Sequence, residues 1–215
     1  PELPQMPENV RYDGSLKASV ILKDLAPFVP ALSRFEEPLD LNLVFSGHGK
    51  HLDCPTLRLT NHHGLMIAGE AALSNWDAGM DMYIYGKLGN LTMTKEGINV
   101  LMTNLTGKVP PILQRLDYIR FNGEAAGYLH DLTLTGLFHT GAGMVKTDVM
   151  MSIDEQSMSR TYSGSVASAD LDLGKLLNQE KKFGKVDFNV ELKGFNYKNR
   201  YPESYIKGII SSFEY

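Results

Sequence analysis

The chain repeats a ladder of alternating strands punctuated by glycine, and this repeat restricts the possible fold more than any other feature. One copy runs from Leu39 to Leu73 and a second from Leu116 to Val149, each with a Phe-x-Gly segment ahead of a Leu-x-Leu pair. A third, weaker copy follows. Gly47, Gly123 and Gly194 hold the same place in the three copies, 76 residues (123 − 47) and 71 residues (194 − 123) apart. A β repeat of this length predicts an elongated sheet built from stacked units.

Alternation of apolar and polar residues predicts the individual strands. From Leu39 to Phe45 every second residue is apolar, with Asp40 and Asn42 between them. A period of two is typical of a strand with one buried and one hydrated face. On the same ground, strands are predicted over 16–22, 39–45, 56–60, 65–73, 80–88, 119–125, 131–135, 144–153, 161–167, 186–192 and 205–213. The segment 91–104 is predicted to add one strand or two short ones, and the polar residues 1–14 are predicted to form an entry loop or an edge segment.

Short helices are predicted at three places. Residues 23–35 would form a compact turn of helix, because two prolines there each remove an amide donor. Residues 109–116 would form a short amphipathic helix with proline at its start. Asp172 is the predicted N-cap of a third helix, which Gly184 would close. The predicted fold class is therefore mostly β, an elongated and repetitive sheet with a few short helices.

We expect a single β-repeat region over 1–215, with approximate repeat units at 16–108, 109–185 and 186–215, the last one truncated. The sequence begins in the middle of a pattern and stops immediately after a predicted strand. We therefore expect a piece of a longer protein, from which targeting signals would be absent whatever its location.

Composition excludes several classes of protein. The net charge of −4 and the scattered 21 Lys and Arg argue against a nucleic-acid surface, which requires a basic stripe. The single cysteine, Cys54, excludes an internal disulfide framework. No run of 18 apolar residues occurs, so the sequence contains no predicted membrane span.

The motifs that bear chemistry are weak. The densest cluster of reactive side chains comprises His48, His51, Asp53, Cys54, His62 and His63. It superficially satisfies zinc-ligand chemistry, but these histidines sit in turns and show no standard zinc spacing. Ser163 and Ser165 lack the nucleophile-elbow motif of serine hydrolases. We therefore predict no enzyme activity, no cofactor and no metal, and keep a zinc hydrolase as a minor alternative.

Ordered motifs across nearly the whole chain resemble a known family. They are KDLAPFVP from Lys23, VPPILQRLDYIRFNG from Val109, TGAG from Thr140, LDLGKLL from Leu171 and GIISSFEY from Gly208. In this order they resemble the repeat region of an AsmA/TamB-type translocation and assembly module, in the style of the Bacteroidetes members.

The resemblance implies a large bacterial envelope protein, anchored in the inner membrane by an N-terminal helix and extending through the periplasm. It implies an elongated, open and repetitive β-sheet that forms a gutter-shaped, taco-like groove with a hydrophobic concave side. Proteins of this class are linked to phospholipid passage towards the outer membrane and to outer-membrane protein assembly. The implied partners are phospholipid acyl chains and an outer-membrane assembly protein, which would bind a region outside this chain. No catalytic residues come with the family.

Pattern alone leaves two uses for the apolar residues, a closed core or an exposed groove, and cores are the default. The resemblance favours the groove. The residues predicted to line it are the alternating ones: Leu41, Leu43, Phe45, Leu57, Leu59, Ile67, Phe121, Leu132, Leu134, Val145, Val149, Phe188 and Val190. Asn42, Arg58 and Thr133 should face water. Four methionines would suit a compliant lining: Met66, Met82, Met150 and Met151.

The alternative function is a β-repeat adhesin or carbohydrate-binding module. Its stacking platforms would be Tyr83, Tyr85, Trp76 and Tyr128. Aromatic residues exposed together would favour glycan binding, whereas a shared apolar strip would favour lipid.

Overall fold

A single antiparallel sheet dominates the chain. The computed structural model describes residues 10–25, 33–154, 156–157, 159–196 and 203–214. They form an eleven-stranded sheet in which the strands lie in chain order, so each strand pairs only with its neighbours in the sequence. The fold is mostly β and open, with a few short helices, as predicted.

The strands are β1 (Arg11–Ile21), β2 (Pro38–His48), β3 (His51–Thr60), β4 (Leu65–Ser74), β5 (Tyr83–Thr94), β6 (Tyr118–Tyr128), β7 (Asp131–Thr140), β8 (Gly143–Ile153), β9 (Arg160–Asp172), β10 (Lys185–Asn196) and β11 (Glu203–Phe213). The helices are α1 (Lys95–Thr106), α2 (Pro111–Gln114) and α3 (Leu173–Leu177), and short 3₁₀ turns cover Leu22–Leu25 and Gly79–Asp81. Four strands, β2 to β5, precede α1, and four more, β6 to β9, precede α3.

The strand predicted over 91–104 is wrong beyond Thr94, where α1 begins. The Thr94 hydroxyl accepts a hydrogen bond from the Gly97 amide at 3.2 Å and so caps the helix. Gly107, with a φ of 77°, ends the helix in the left-handed region. The apolar residues inside α1 would also suit a strand. The two capping residues and the packing of Ile98 in the core favour a helix.

The first strand also differs from its prediction. Of the entry loop or edge segment predicted over 1–14, residues 11–14 belong to β1, which lies at the edge of the sheet, and they pair with β2 as far as His48. The rest of that predicted segment, residues 1–9, lies outside the described residues. Of the helical turn predicted over 23–35, residues 26–32 also lie outside them, and Leu22–Leu25 is 3₁₀.

The other two helices agree better with their predictions. The predicted proline-initiated helix is α2. Asp172 caps α3 as predicted, since its carboxylate accepts a hydrogen bond from the Lys175 amide at 2.8 Å. The end of α3 is different: Asn178, with a φ of 57°, closes the helix six residues before Gly184 (184 − 178).

The hydrophobic core lies where the three helices cover one end of one sheet face. Leu39 on β2 and Ile98 on α1 are its most buried side chains, each 1% exposed. Around them pack Leu65, Met93, Leu116, Ile119, Ala142, Leu171, Leu176 and Val186. Because α2 and α3 are too short to be stable alone, contacts hold them in place. One of these is the hydrogen bond that the Arg115 guanidinium donates to the Leu176 carbonyl oxygen.

The two Phe-x-Gly segments of the sequence repeat lie at different levels in the sheet. Phe121 belongs to the row of cross-strand neighbours that contains Leu41, four residues before Phe45 along β2. Both phenylalanines nevertheless point to the same side of the sheet, and both lie beside glycine. The structural feature that repeats is a phenylalanine packed beside a glycine on the same face of the sheet.

Candidate functional site

All thirteen residues predicted to line a groove lie on one face of the sheet, which we call the apolar face. Residues directly opposite each other in an antiparallel ladder point to the same side. Following these partners across the sheet gives one continuous row: Leu41, Leu59, Ile67, Leu91, Phe121, Phe138, Val145, Ser168 and Phe188. The other predicted lining residues stand on either side of this row with the same parity. Asn42, Arg58 and Thr133 point to the opposite, polar face.

Charge separates the two faces. Arg160, at the start of β9 opposite Ile153, is the one charged residue that the register places on the apolar face in the described strands. The polar face carries charged residues on every strand, such as Lys17 on β1, Glu124 on β6 and Lys207 on β11. Because a charge is expensive to remove from water, the apolar face is the side built for contact with apolar groups.

Aromatic rings cover glycines on the apolar face. Tyr12 lies directly opposite Gly47, and Tyr162 directly opposite Gly194. A Cβ added at either glycine would overlap the facing ring. The Tyr12 hydroxyl donates to the His51 carbonyl oxygen at 2.7 Å, which fixes the ring in this position. Glycine in a strand interior often marks the close approach of another group, and at both positions the facing tyrosine ring is such a group.

The thirteen predicted residues are neither fully buried nor fully exposed. Phe121 is buried, 6% exposed, and the other twelve are half-buried. In a closed sandwich such residues would be core and almost wholly inaccessible. The helices cover only the end of the face near Leu39 and Ile98. The remainder of the apolar face is therefore a strip that solvent, or an apolar ligand, can reach.

Two of the four methionines predicted as lining are on the wrong side. Met66 is opposite Thr92 and Met150 is opposite Thr133, so both lie on the polar face. Met151 lies on the apolar face opposite Leu132. Adjacent residues in a strand point to opposite sides, so Met150 and Met151 could not both line the strip.

A depression with a volume of about 840 Å³ lies on the polar face. It crosses β7 to β11, and its lining mixes charges, hydroxyls and apolar groups: Thr133, Met150, Ser163, Lys193, Tyr205 and Lys207 are among the residues that form it.

The reactive residues of the sequence cluster separate in the structure. His48 and His51 flank the β2–β3 turn with ring centroids 5.4 Å apart, whereas His63 lies in the turn at the far end of β3. A ten-residue strand spans about 33 Å, so the two turns cannot share one metal ion. Among the residues that the structure describes, no group of three His, Cys, Asp or Glu side chains is placed to hold a metal. Cys54 is buried on the apolar face, and burial raises the pKa of its thiol.

One hydroxyl, imidazole and carboxylate do lie in series. The His51 Nδ1 is 2.7 Å from the Ser74 hydroxyl, and its Nε2 is 3.0 Å from the Asp53 carboxylate. This series has the order of a serine-hydrolase triad, but in such a triad the carboxylate is buried. The Asp53 side chain is 54% exposed, so the series is a solvent-exposed hydrogen-bonded network on the polar face and not a buried triad.

His63 makes the densest charge contacts in the described part of the chain. Its Nδ1 lies 2.6 Å from the Glu96 carboxylate at the start of α1, and its Nε2 contacts the Glu37 carboxylate just before β2. The hydrogen bond to Glu96 raises the pKa of His63 above its ordinary value of 6.5; partial burial opposes the rise, and the charges of both carboxylates add to it. Sequence spacing contained no signal for this pairing.

The aromatic residues of the alternative function do not form one platform. Tyr83 and Tyr128 are cross-strand neighbours on the polar face, with ring centroids 5.4 Å apart in an edge-on arrangement. Trp76 packs instead near Tyr12, at 6.2 Å. The Tyr85 hydroxyl donates weakly to Glu70 at 3.4 Å.

No family model, curated protein or solved structure matches this chain. The likeness to AsmA/TamB-type modules therefore stays a prediction from the sequence motifs.

Within the described ranges, no helix is both long and apolar enough to cross a bilayer.

Proposed function

We propose that this chain is a structural module of the bacterial envelope that holds phospholipid acyl chains on its apolar face, and that it is not an enzyme. The observation that supports this most is the apolar face itself. In the described strands it continues from β1 to β11 with one charged residue, and it remains half-exposed beyond the helices. Monomeric proteins rarely leave a contiguous apolar surface of this extent open unless something binds it.

A strip of this kind suits transport better than tight binding. Each CH₂ group of an acyl chain costs about 0.8 kcal/mol to expose to water. A continuous apolar surface lowers that cost at every step across an aqueous compartment, without a deep pocket from which the lipid must escape. The location we propose is the periplasm, with the full-length protein anchored in the inner membrane and contacting an outer-membrane assembly protein. Location and partner rest on the resemblance alone.

Photocrosslinking at adjacent residues tests the proposal. Leu134 lies on the apolar face, four residues from Phe138 and so away from the helix-covered core, and Thr133 points to the polar face. With a photoreactive amino acid at position 134 and vesicles of phosphatidylethanolamine and phosphatidylglycerol, we expect lipid adducts by mass spectrometry. The matched probe at position 133 should give few. Equal labelling at both positions, or none at position 134, would contradict lipid binding on this face.

A charge on the strip should weaken acyl-chain binding. Leu134→Lys places an ammonium among apolar neighbours, where it must be desolvated when a chain binds. We expect the Kd for a fluorescent fatty acid to rise about tenfold, equivalent to about 1.4 kcal/mol. Thr133→Lys adds the same charge to the polar face and should leave the Kd unchanged. Circular dichroism of both variants checks that the sheet is retained, so an unchanged Kd in folded Leu134→Lys protein would count against the proposal.

A second candidate, glycan binding, is favoured only by the Tyr83–Tyr128 pair, since Tyr128 is 45% exposed on the polar face. Titration of the protein with soluble oligosaccharides, followed by Tyr128→Ala, separates it from lipid binding. A tyrosine-dependent affinity together with no lipid adducts at position 134 would replace our proposal with this one.

A further inference from the structure

His63 holds together three parts of the chain that are distant in sequence. Two hydrogen bonds hold the backbone of His63. Its amide donates to the Asn61 side chain at 3.0 Å, and its carbonyl oxygen accepts from the Thr94 hydroxyl at 2.7 Å. The first bond fixes the β3–β4 turn, and the second anchors that turn to Thr94, the N-cap residue of α1. The imidazole ring therefore has a defined position between Glu37, before β2, and Glu96, in the first turn of α1.

Both ring nitrogens of His63 face carboxylates. A neutral imidazole has one N–H donor and one acceptor nitrogen, whereas the imidazolium has two donors. Ionised Glu37 and Glu96 are acceptors only, so both bonds can form only when His63 is charged. The other groups that contact His63, the Asn61 amide and the Thr94 hydroxyl, carry no charge. Glu36, beside Glu37, is engaged by Lys23.

We propose that His63 is a pH-sensitive latch: as an imidazolium it fastens the start of α1 to the segment before β2, and it releases one of the two carboxylates when it loses its proton. The helix it fastens is the one that covers the closed end of the apolar face, through Ile98 and its neighbours. The latch is a property of the fold. We expect the covered end of the strip to open more often at a pH above that at which His63 loses its proton. This consequence for acyl chains rests on the proposed function.

The sign of the pH effect follows from the raised pKa of His63. Its contribution to stability is fully present below the unfolded-state value near 6.5 and is lost as the pH rises through the higher folded-state value. The effect on α1 should be modest, because the ring and both carboxylates are partly exposed, at 34%, 24% and 68% for His63, Glu37 and Glu96. Exposed ion pairs change an equilibrium by about two- to fivefold.

Amide hydrogen exchange measures the latch directly. In the wild-type chain, after correction for the intrinsic exchange rate, we expect protection of the α1 amides at residues 98–104 to fall about two- to fivefold between pH 5.5 and pH 8.5. His63→Gln has no charge to lose and should show the lower protection at both pH values. Glu37→Gln and Glu96→Gln should each reduce the pH dependence, since one bond of the pair is gone.

His62→Gln is the matched control, because His62 is the exposed neighbour in the same turn and should leave the pH dependence of α1 intact. Protection that does not change with pH in the wild type would overturn the latch, and so would a pH dependence that survives in His63→Gln. A lipid-crosslinking probe at Ile67, which packs against the helix-covered core, then tests the link to function. If amide exchange in α1 depends on pH but no lipid adducts form at positions 67 and 134, the latch is supported and the proposed lipid binding is contradicted.

Discussion

Replacing Ile98 with alanine is expected to lower the free energy of unfolding by about 2–5 kcal/mol. Ile98 is 1% exposed and lies on α1 at the centre of the core that joins the helices to the sheet. Truncation removes buried methyl groups and leaves a cavity that a β-sheet framework cannot readily fill by collapse. The measurement is urea unfolding followed by circular dichroism, with the midpoint compared at equal slope.

Ile112 supplies the matched control. It is also an isoleucine on a helix, α2, but it is 47% exposed. Ile112→Ala should change the unfolding free energy by no more than about 0.5 kcal/mol, as surface substitutions usually do. If the two alanine variants unfolded at the same urea concentration, α1 would not be part of the cooperative core. The conclusion that α1 stably covers one end of the apolar face would then be wrong.

Replacing Gly164 with alanine is expected to destabilise the protein by about 2–4 kcal/mol. Two effects combine at this position on β9. Its φ of 140° is one that residues with a Cβ rarely adopt, and the added Cβ would overlap the Asp148 carbonyl oxygen and the Val149 Cα on β8. Since both obstacles are backbone atoms, neither can rotate away, and the strand must shift. Thermal unfolding should show a clearly lower Tm.

Gly86 on β5 is the comparison. It also lies on the apolar face, opposite Ala71 and Ala125, but an added Cβ there would meet no heavy atom within 4 Å. Gly86→Ala should therefore be tolerated, with a change of no more than about 1 kcal/mol in either direction. If both substitutions destabilised the protein equally, the close approach of β8 and β9 at Gly164 would not be the cause of the lower stability.

Strand parity was the part of the site that the sequence could predict. Within an uninterrupted strand the side-chain period is two, so Leu132 and Leu134 must share a face and Thr133 must oppose them. Bulges break this rule. Leu88 and Leu91 are three residues apart, yet both lie on the apolar face, because the register shifts between them. A bulge depends on the backbone of two paired strands, and alternation in one strand cannot locate it.

The helix α1 was the main error in the fold, and its cause is local. Its interior, INVLMTNL, contains β-branched and apolar residues that suit a strand as well as a helix. The capping residues Thr94 and Gly107 were visible in the sequence and would have supported a helix. What decided the outcome was Ile98 packing against Leu39 and its neighbours, a contact between distant segments.

The sequence by itself determined that this chain forms a mostly β sheet with one apolar and one charged face, because period-two alternation follows from the covalent geometry of an extended chain. Only the tertiary structure decided which end of the apolar face is closed and how that end is held. The core at that end joins β2 to β10 through the three helices. His63 contacts both Glu37 and Glu96, and Glu96 is 33 residues away in the sequence. Such contacts depend on how strands and helices are arranged in space, and no local pattern in the chain encodes the distance between them.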